Sequence, residues 1–162
     1  MGTEHVLAID LGTGGPKAAL VTPEGRITAH EFEPTPLELL GEGGAEQDPD
    51  GWWAAITAAV RRLLGAGHVT PEDVVAVSVT SQWSGTVAVD AAGKHLYPAV
   101  IWMDSRGAPY VEDLVTGKLN VAGYGAFKLK AWIQKTGDIP SHSGKDPLGH
   151  ILWLRHHQPD VY

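Results

Sequence analysis

The sequence predicts an α/β domain built on a mixed β-sheet, and three observations along its first half predict this class. Apolar segments at residues 5–10, 16–22 and 26–33 follow one another with only short turns between them. A segment of helical periodicity comes next, and an apolar segment at residues 74–80 follows it. Strands joined by tight turns pair antiparallel, whereas a strand reached through a crossover helix pairs parallel. Together they predict a sheet of mixed direction.

The first three predicted strands, residues 5–10, 16–22 and 26–33, form an antiparallel meander, and local sequence signals mark its turn and its faces. The segment "TPEGR" at residues 22–26 combines Pro and Gly, which is typical of a turn between strands. Residues 26–33 then alternate between two faces, with Ile27 and Ala29 on one and Thr28, His30 and Phe32 on the other. Residues 34–47, which include "GEGG", are predicted to form a loop.

The crossover helix is predicted to begin at Pro49 and to end at Gly65. Asp48 is suited to the N-cap, Pro49 to the first helical position, and Asp50 to the positive end of the helix dipole. Apolar residues recur at helical spacing and are predicted to form the buried face. They are Trp52, Trp53, Ile56, Val60, Leu63 and Leu64.

The second half of the chain is predicted to start with strands and to become helical. Residues 74–80 are predicted as a buried strand, and residues 85–102 as a strand, a turn at 90–94 and a further extended piece. Ser105 is expected to cap a helix that reaches Leu114. Two more helices are predicted over residues 124–135 and 146–157.

Composition excludes several classes of function. The chain has 162 residues with 12 basic and 19 acidic side chains, a net charge of −7, which argues against a nucleic-acid or anionic-membrane surface. It has no cysteine, so disulfides, zinc–thiolate sites and thiol nucleophiles are excluded. No apolar run approaches the roughly 18 residues of a membrane helix, and no secretory signal is visible. We therefore expect a cytoplasmic protein.

The histidines do not form a recognisable metal-binding motif. There are eight of them, and His150 and His157 share a face of the last predicted helix. No H-E-x-x-H or comparable ligand set accompanies them. We predict surface histidines.

The glycine-rich turn "IDLGTGGPK", residues 9–17, carries the first functional signal. A dinucleotide fingerprint would need a third glycine where Lys17 stands and a helix after it, so that interpretation fails. A Walker A loop fails as well, because no G-x-x-x-x-G-K-[ST] pattern is present. Two interpretations stay open. One is an ordinary hairpin; in the other, the N–H groups of residues 12–15 and the Thr13 hydroxyl bind phosphate, and Asp10 holds hydrated magnesium.

Four further segments decide between these interpretations by resemblance. They are "EQDPDGWW" at 46–53, "SVTSQWSG" at 78–85, "PAVIWMDSR" at 98–106 and "LGHILWLRHHQPDVY" at 148–162. With the glycine turn, they resemble, in order, the motifs of the FGGY carbohydrate kinases, in the superfamily of actin and Hsp70. Within that family the chain is most similar to the xylulose kinases. The tryptophan and carboxylate groupings disfavour an actin-like or Hsp70-like ATPase.

The resemblance implies both an architecture and an activity. It implies a ribonuclease H-like fold, a mixed five-stranded sheet with helices on both faces, incomplete within this chain. Residues 1–162 would be most of an N-terminal domain, and the C-terminal nucleotide-binding domain and the general base would be missing. The whole enzyme would use ATP and Mg²⁺ to phosphorylate a sugar or polyol, and the isolated chain would be inactive. The alternative is a non-catalytic kinase-like module that binds a sugar or a partner. A truncated domain could also expose an unpaired sheet edge and form a homodimer through it.

The resemblance also assigns site residues. Asp10 would be catalytic and would hold the metal, whereas Gly12, Thr13, Gly14 and Lys17 would bind the phosphates. Gln82, Ser84, Trp102 and Asp104 would bind the sugar. Alternatives stay open: a turn cap for Gln82 and Ser84, core packing for Trp102, and a local ion pair of Asp104 with Arg106. Gln47 would lie near the sugar pocket or serve the helix entry, and Lys145 could assist an anion.

Two departures from the family pattern affect these assignments. Ser84 stands where xylulose kinases usually have histidine and where glycerol kinases have an acidic residue after an arginine, which argues against D-xylulose and glycerol as substrates. Gly15 and Pro16 replace residues that commonly bear hydroxyls, and Pro16 has no backbone N–H to donate. A weaker grip on phosphate is expected.

Overall fold

A computed structural model describes residues 4–162, which fall into two compact units. The described part of the first unit is residues 4–37 together with Gln47–Trp83, and the second unit is Glu38–Glu46 together with Ser84–Tyr162.

The strands and helices are numbered in chain order. The described strands are β1 (His5–Gly12), β2 (Gly15–Val21), β3 (Ile27–Phe32), β4 (Glu38–Leu40), β5 (Gly44–Gln47), β6 (Val74–Ser81), β7 (Ala99–Val100), β8 (Asn120–Val121) and β9 (Tyr124–Gly125). The α-helices are α1 (Pro49–Gly65), α2 (Ala108–Val115), α3 (Ala126–Thr136) and α4 (Pro147–His157). Short 3-10 helices occupy Gly41–Gly43 and Pro71–Asp73.

The first unit is built on a four-stranded sheet in the order β3-β2-β1-β6. β1 pairs antiparallel with β2, and β2 with β3, whereas β6 joins β1 in the parallel direction. The predicted meander, crossover helix and parallel strand are therefore confirmed, and the sheet is mixed. Within the described residues this unit holds four strands of the sheet and one α-helix. The fifth strand and helices on both faces stay predictions.

Helix α1 packs on one face of this sheet. Its buried Ala59 and Leu63 meet Leu7, Ala18 and Leu20 of the first two strands. The predicted start is confirmed, because the Asp48 carboxylate caps the helix by accepting from the Asp50 N–H at 3.0 Å.

The predicted buried face of α1 was wrong at its first turn. Trp53 is 71% exposed, and the helix buries Ala55 and Ala59, which were not predicted, together with the predicted Leu63. The small alanines let the helix lie close to the sheet, and this turns the bulky Trp53 outward.

Strand β6 was predicted as buried, and the structure corrects this. Val75, Val77 and Val79 are 56%, 61% and 66% exposed. Val77 pairs with Leu7 and Val79 with Ile9, so these valines lie on the same face as the core residues of β1. They remain exposed because β6 is the last strand of the sheet among the described residues and α1 packs chiefly over β2 and β3.

The second unit contains a small sheet in the order β4-β5-β7. The prediction of a loop over residues 34–47 was therefore wrong from residue 38 onward, where β4, a short 3-10 helix and β5 follow one another. All four residues of β5 are buried, yet they include Gly44, Glu46 and Gln47, so no apolar alternation signals the strand. Gln47, its last residue, belongs to the first unit. Conversely, the extended pieces predicted over residues 85–102 are reduced to β7 and two isolated bridges, Thr86 with Val100 and Val89 with His95.

The helices of the second unit are close to their predicted positions. α3 and α4 are confirmed, whereas α2 begins three residues after the predicted cap Ser105, with Gly107 at its N-cap. Val100, Trp153 and Leu154 form a buried cluster. No α-helix within residues 4–162 is long and apolar enough to cross a membrane.

Candidate functional site

The glycine turn lies in the first unit and joins β1 to β2. Gly12 and Gly15 form the last pair of the hairpin, with Thr13 and Gly14 at its tip. Gly15 has φ 134°, and a Cβ there would lie 2.0 Å from the Glu33 carbonyl oxygen, so only glycine fits. A Cβ at Gly14 would meet no atom within 4 Å. Gly15 therefore shapes the hairpin, and the space at Gly14 is open to a ligand.

An ion pair lies beside this hairpin. Asp10 and Lys17 are opposite each other across β1 and β2, and Lys17 Nζ donates to Asp10 Oδ2 at 3.3 Å. Their side chains are 45% and 62% exposed. Exposed pairs of this kind are weak, so a ligand could replace either partner at little cost. The hairpin thus places one carboxylate and one ammonium group together at exposed positions.

Behind the hairpin lies a chain of hydrogen bonds between side chains. Gln47 Nε2 donates to the Thr13 carbonyl at 2.9 Å, Gln82 Nε2 donates to Gln47 Oε1 at 3.0 Å, and Thr13 Oγ1 donates to Gln82 Oε1 at 2.9 Å. The Gln82 N–H also donates to the Leu11 carbonyl at 2.8 Å. The structure therefore brings Gln82, a predicted sugar ligand, against Thr13, a predicted phosphate ligand.

In the second unit, Asp104 is 1% exposed and its carboxylate is surrounded by donors. Oδ2 accepts from the Ala45 N–H and from Arg106 Nε, both at 2.9 Å, and Oδ1 accepts from the Arg106 N–H at 2.9 Å. This geometry favours the local ion pair with Arg106 over direct contact with a sugar.

Arg106 completes a buried ionic cluster that we call the Arg106 cluster: Glu46, Asp104 and Arg106. The guanidinium group pairs with both carboxylates, and its carbon lies 3.7 Å from the centre of the Trp153 ring. Burial lowers the pKa of Arg106, but its hydrogen bonds to Asp104 and Glu46 outweigh burial and raise it. Two carboxylates and one guanidinium are thereby held in one place as structural charges.

Two other predicted sugar ligands lie in the second unit. Ser84 has φ 56°, unusual for a residue with a side chain, and its hydroxyl donates to the Lys145 carbonyl at 3.0 Å. Trp102 is 38% exposed, so its indole is only partly in the core. The Ser84 side chain is thereby held against the loop before α4.

His150 corrects the prediction of surface histidines. It is fully buried in α4, and its Nδ1 lies 3.0 Å from Thr86 Oγ1. Burial lowers its pKa, and the charge of Asp104 opposes that shift. His156 and His157 are exposed, as predicted.

Sequence reasoning missed the part played by the "EQ" pair before α1. Glu46 belongs to the Arg106 cluster and accepts from the Tyr97 hydroxyl at 3.1 Å, while Gln47 supports the hairpin. Burial and the negative charge of Glu46 raise the pKa of Tyr97. A carboxylate and an amide next to each other just before a helix cap, in a segment whose one apolar residue is Ala45, were the available signal.

Comparison with known proteins places the chain in a family. The model of the FGGY family of carbohydrate kinases, N-terminal domain, matches residues 5–162. The chain belongs to this family. A xylulose kinase of Streptomyces coelicolor is 33% identical over 158 residues, which are 96% of this chain and 29% of that protein.

Solved structures of the family show the same mixed α/β fold. A crystal structure of a xylulose kinase from Brucella ovis matches with a TM-score of 0.81 and 22% identity, over 98% of this chain and 30% of that one. Plasmodium falciparum glycerol kinase with ADP matches with a TM-score of 0.74 and 21% identity, over 98% and 30%. The chain thus spans about 30% of the length of these relatives.

Proposed function

We propose that this chain supplies one domain of an ATP-dependent carbohydrate kinase, which transfers the γ-phosphoryl group of ATP to a hydroxyl of a sugar or polyol. The observation that carries the proposal is the family match over residues 5–162, with a glycine hairpin open at Gly14 inside it. Backbone N–H groups that point into a turn bind anions without a cationic side chain. The ADP-bound glycerol kinase supports a nucleotide as the ligand.

The residues of the hairpin have distinct proposed roles. Gly12, Thr13 and Gly14 bind phosphate oxygens through the backbone, and Lys17 adds a positive charge. Asp10 is the catalytic carboxylate that orients the phosphoryl group and holds Mg²⁺. The fit to magnesium is adequate: Asp10 supplies one hard oxygen ligand on an exposed side chain, and Mg²⁺ commonly takes one or two carboxylates with water and phosphates. Bound magnesium would neutralise charge on the transferring group.

The sugar side of the proposal relies on partly exposed residues. Gln82 has a second amide hydrogen beyond the one it donates to Gln47, and the Ser84 oxygen can still accept a hydrogen bond although its hydrogen goes to the Lys145 carbonyl. Trp102 offers an indole face to the C–H groups of a sugar. We assign Asp104 an indirect role, since its oxygens are engaged by Ala45 and Arg106: it holds the segment that carries Trp102.

The rest of the proposal concerns parts that the chain is not expected to contain. The general base and most of the adenosine site would lie in a second domain. The five-stranded ribonuclease H-like sheet belongs to this proposal too, because β6 has one hydrogen-bonded neighbour among the described strands and could take a fifth on its other edge. We therefore expect the 162-residue chain alone to bind ligands without appreciable turnover.

An isotopically labelled 162-residue chain tests this function directly. Titration with Mg·ATP should shift the amide signals of Gly12, Thr13 and Gly14, and a panel of sugars and polyols should shift those of Ser84 and Trp102. D10N should weaken the response to Mg·ATP and leave the response to sugars unchanged. A coupled ATP-consumption assay on the same chain should show negligible turnover.

Three outcomes would count against the proposal in different ways. Shifts by a sugar without any response to Mg·ATP would favour the non-catalytic sugar-binding module. An absence of both responses would overturn the kinase site in this chain. Robust turnover by the 162-residue chain would overturn the expectation that the base lies elsewhere.

A further inference from the structure

We propose that Gln47 is a positioning residue for the glycine hairpin: it fixes the direction of the hydrogen bonds behind the turn. The Thr13 hydroxyl then donates into the protein, and the turn meets phosphate with backbone N–H groups and not with that hydroxyl. This inference rests on the proposed function of the hairpin as a phosphate site. It goes beyond that function by assigning Gln47 a role and by removing the hydroxyl hydrogen of Thr13 from phosphate binding.

The direction is set by two backbone carbonyls. Gln47 Nε2 lies 2.9 Å from the Thr13 carbonyl oxygen and 3.1 Å from the Pro36 carbonyl oxygen. A carbonyl oxygen can only accept, so the part of the Gln47 amide that faces them must be its NH₂ group. Gln47 is 1% exposed, and the opposite orientation would bury oxygen against oxygen. Its orientation therefore has one solution.

This orientation passes through Gln82 to Thr13. The Oε1 atom of Gln47 faces Gln82 at 3.0 Å and accepts, so Gln82 must present its NH₂ group there. Gln82 Oε1 then faces Thr13 Oγ1 at 2.9 Å, and the hydroxyl must donate. The Thr13 and Pro36 carbonyls therefore determine the direction of the hydrogen bonds that follow, through Gln47 and Gln82 to the Thr13 hydroxyl.

The consequence concerns what the hairpin can offer to a phosphate group. A threonine hydroxyl has one hydrogen, and here Gln82 receives it. The Thr13 oxygen can still accept, for example from a water molecule, but it has no second hydrogen for a phosphate oxygen. Within the turn, phosphate binding is left to the backbone N–H groups, and the Gln47 contact to the Thr13 carbonyl holds that backbone in place.

The variant Q47E tests this positioning role. It keeps the size of the side chain but places an oxygen where the NH₂ group meets the Thr13 and Pro36 carbonyls. We expect the affinity of the hairpin for Mg·ATP, measured from the amide shifts of Gly12 and Gly14, to fall about tenfold or more. Q134E, at an exposed position of α3, makes the same chemical change and should leave that affinity unaltered.

A double-mutant cycle tests the route through Gln82. If Thr13 gives its hydrogen to Gln82, T13V and Q82L remove the same hydrogen bond, so the double variant should bind Mg·ATP no more weakly than the weaker single variant. T13S, which keeps the hydroxyl, should restore wild-type binding. If the hydroxyl instead donates to phosphate, T13V should weaken binding further in the Q82L background. That result would overturn the inference.

The outcomes separate this inference from the proposed function. If the wild-type chain binds Mg·ATP, and Q47E and Q134E bind it with equal affinity, the inference about Gln47 is overturned. The proposed function is then unaffected. If Q47E loses its native spectrum, the cycle of T13V and Q82L decides. If the wild-type chain does not respond to Mg·ATP, the proposed function fails at the hairpin, and the role of Gln47 in phosphate binding fails with it. A scalar coupling from the Gln47 side-chain nitrogen to the Thr13 carbonyl carbon then tests the hydrogen-bond direction alone.

Discussion

Charged side chains are exposed at the glycine hairpin of the first unit and buried in the Arg106 cluster of the second unit. At the hairpin the charged side chains, Asp10 and Lys17, are 45% and 62% exposed, and the buried polar group Gln47 is a neutral amide. In the Arg106 cluster, the side chains of Arg106 and Asp104 are only 8% and 1% exposed.

This difference separates two kinds of motif residue. Exposed charges keep most of their hydration and can exchange a protein partner for a ligand, whereas buried charges are stable only while every partner is present. The hairpin is therefore suited to binding, and the Arg106 cluster to holding a segment of chain in one conformation. A sequence motif can contain both kinds side by side, as "PAVIWMDSR" does with Trp102 and Asp104.

The largest effect is expected when the Arg106 cluster loses its only cation. R106M leaves two buried carboxylates without their partner, and the free energy of unfolding should fall by about 3–5 kcal/mol. Urea unfolding followed by tryptophan fluorescence measures this, and amide spectra show which unit is affected. R61M, which removes an exposed arginine of α1, is the matched control and should change stability by less than about 0.5 kcal/mol. A small effect of R106M would mean that the cluster is not structural.

The next effect separates two glycines within the hairpin. G15A forces a Cβ to within 2.0 Å of the Glu33 carbonyl oxygen at φ 134°, so stability should fall by about 1–3 kcal/mol. G14A meets no atom within 4 Å and should change stability little, yet it should weaken Mg·ATP binding by filling the open space at the tip. Thermal unfolding and amide titration measure the two responses. Equal losses of stability would contradict the division between a shaping glycine and an open one.

Much of the first unit follows from local sequence signals. The cap Asp48 and the position of Pro49 fix the start of α1, and the turn at residues 22–26 fixes the hairpin between β2 and β3. These features depend on neighbouring residues, which is why the sequence alone predicts them. Even here the helix face was predicted imperfectly, because the spacing that includes Trp53 does not reveal that small alanines pack on the sheet.

The Arg106 cluster could not be predicted in the same way. Its contacts join residues distant in sequence: the Ala45 N–H and Asp104 are separated by 59 positions, and Glu46 and Arg106 by 60. The spacing of Asp104 and Arg106 allows an ion pair or a sugar contact, and the family resemblance favoured the sugar contact. Burial of Asp104 and its contacts with Ala45 and Arg106 favour the ion pair. β5 has no apolar pattern for the same reason, since its burial depends on these polar contacts.

A smaller, pH-dependent effect should distinguish the second unit from the hairpin. Burial lowers the pKa of His150, opposed by Asp104 and Asp146 and reinforced by Arg106. The unfolded chain therefore binds a proton more readily than the folded one, and stability is full above the unfolded pKa of about 6.5 and falls as pH drops below it. The slope from this residue can reach about 1.4 kcal/mol per pH unit. H150Q should flatten the fall between pH 7 and 5 in urea unfolding, whereas H156Q, at an exposed position, should not.

The smallest effect on stability is expected at the hairpin ion pair, and there the comparison between the two regions is sharpest. K17M removes an exposed partner 3.3 Å from Asp10, so the free energy of unfolding should change by less than about 1 kcal/mol, and 1 M salt should reduce the difference. The same variant should weaken Mg·ATP binding, because the ammonium group that the fold scarcely needs is proposed to contact phosphate. Unfolding with and without salt, together with amide titration, measures both quantities. If K17M destabilises the chain as strongly as R106M and leaves Mg·ATP binding unchanged, the Asp10–Lys17 pair is structural. In that case the exposure of a charged side chain does not distinguish ligand-binding charges from structural charges in this protein.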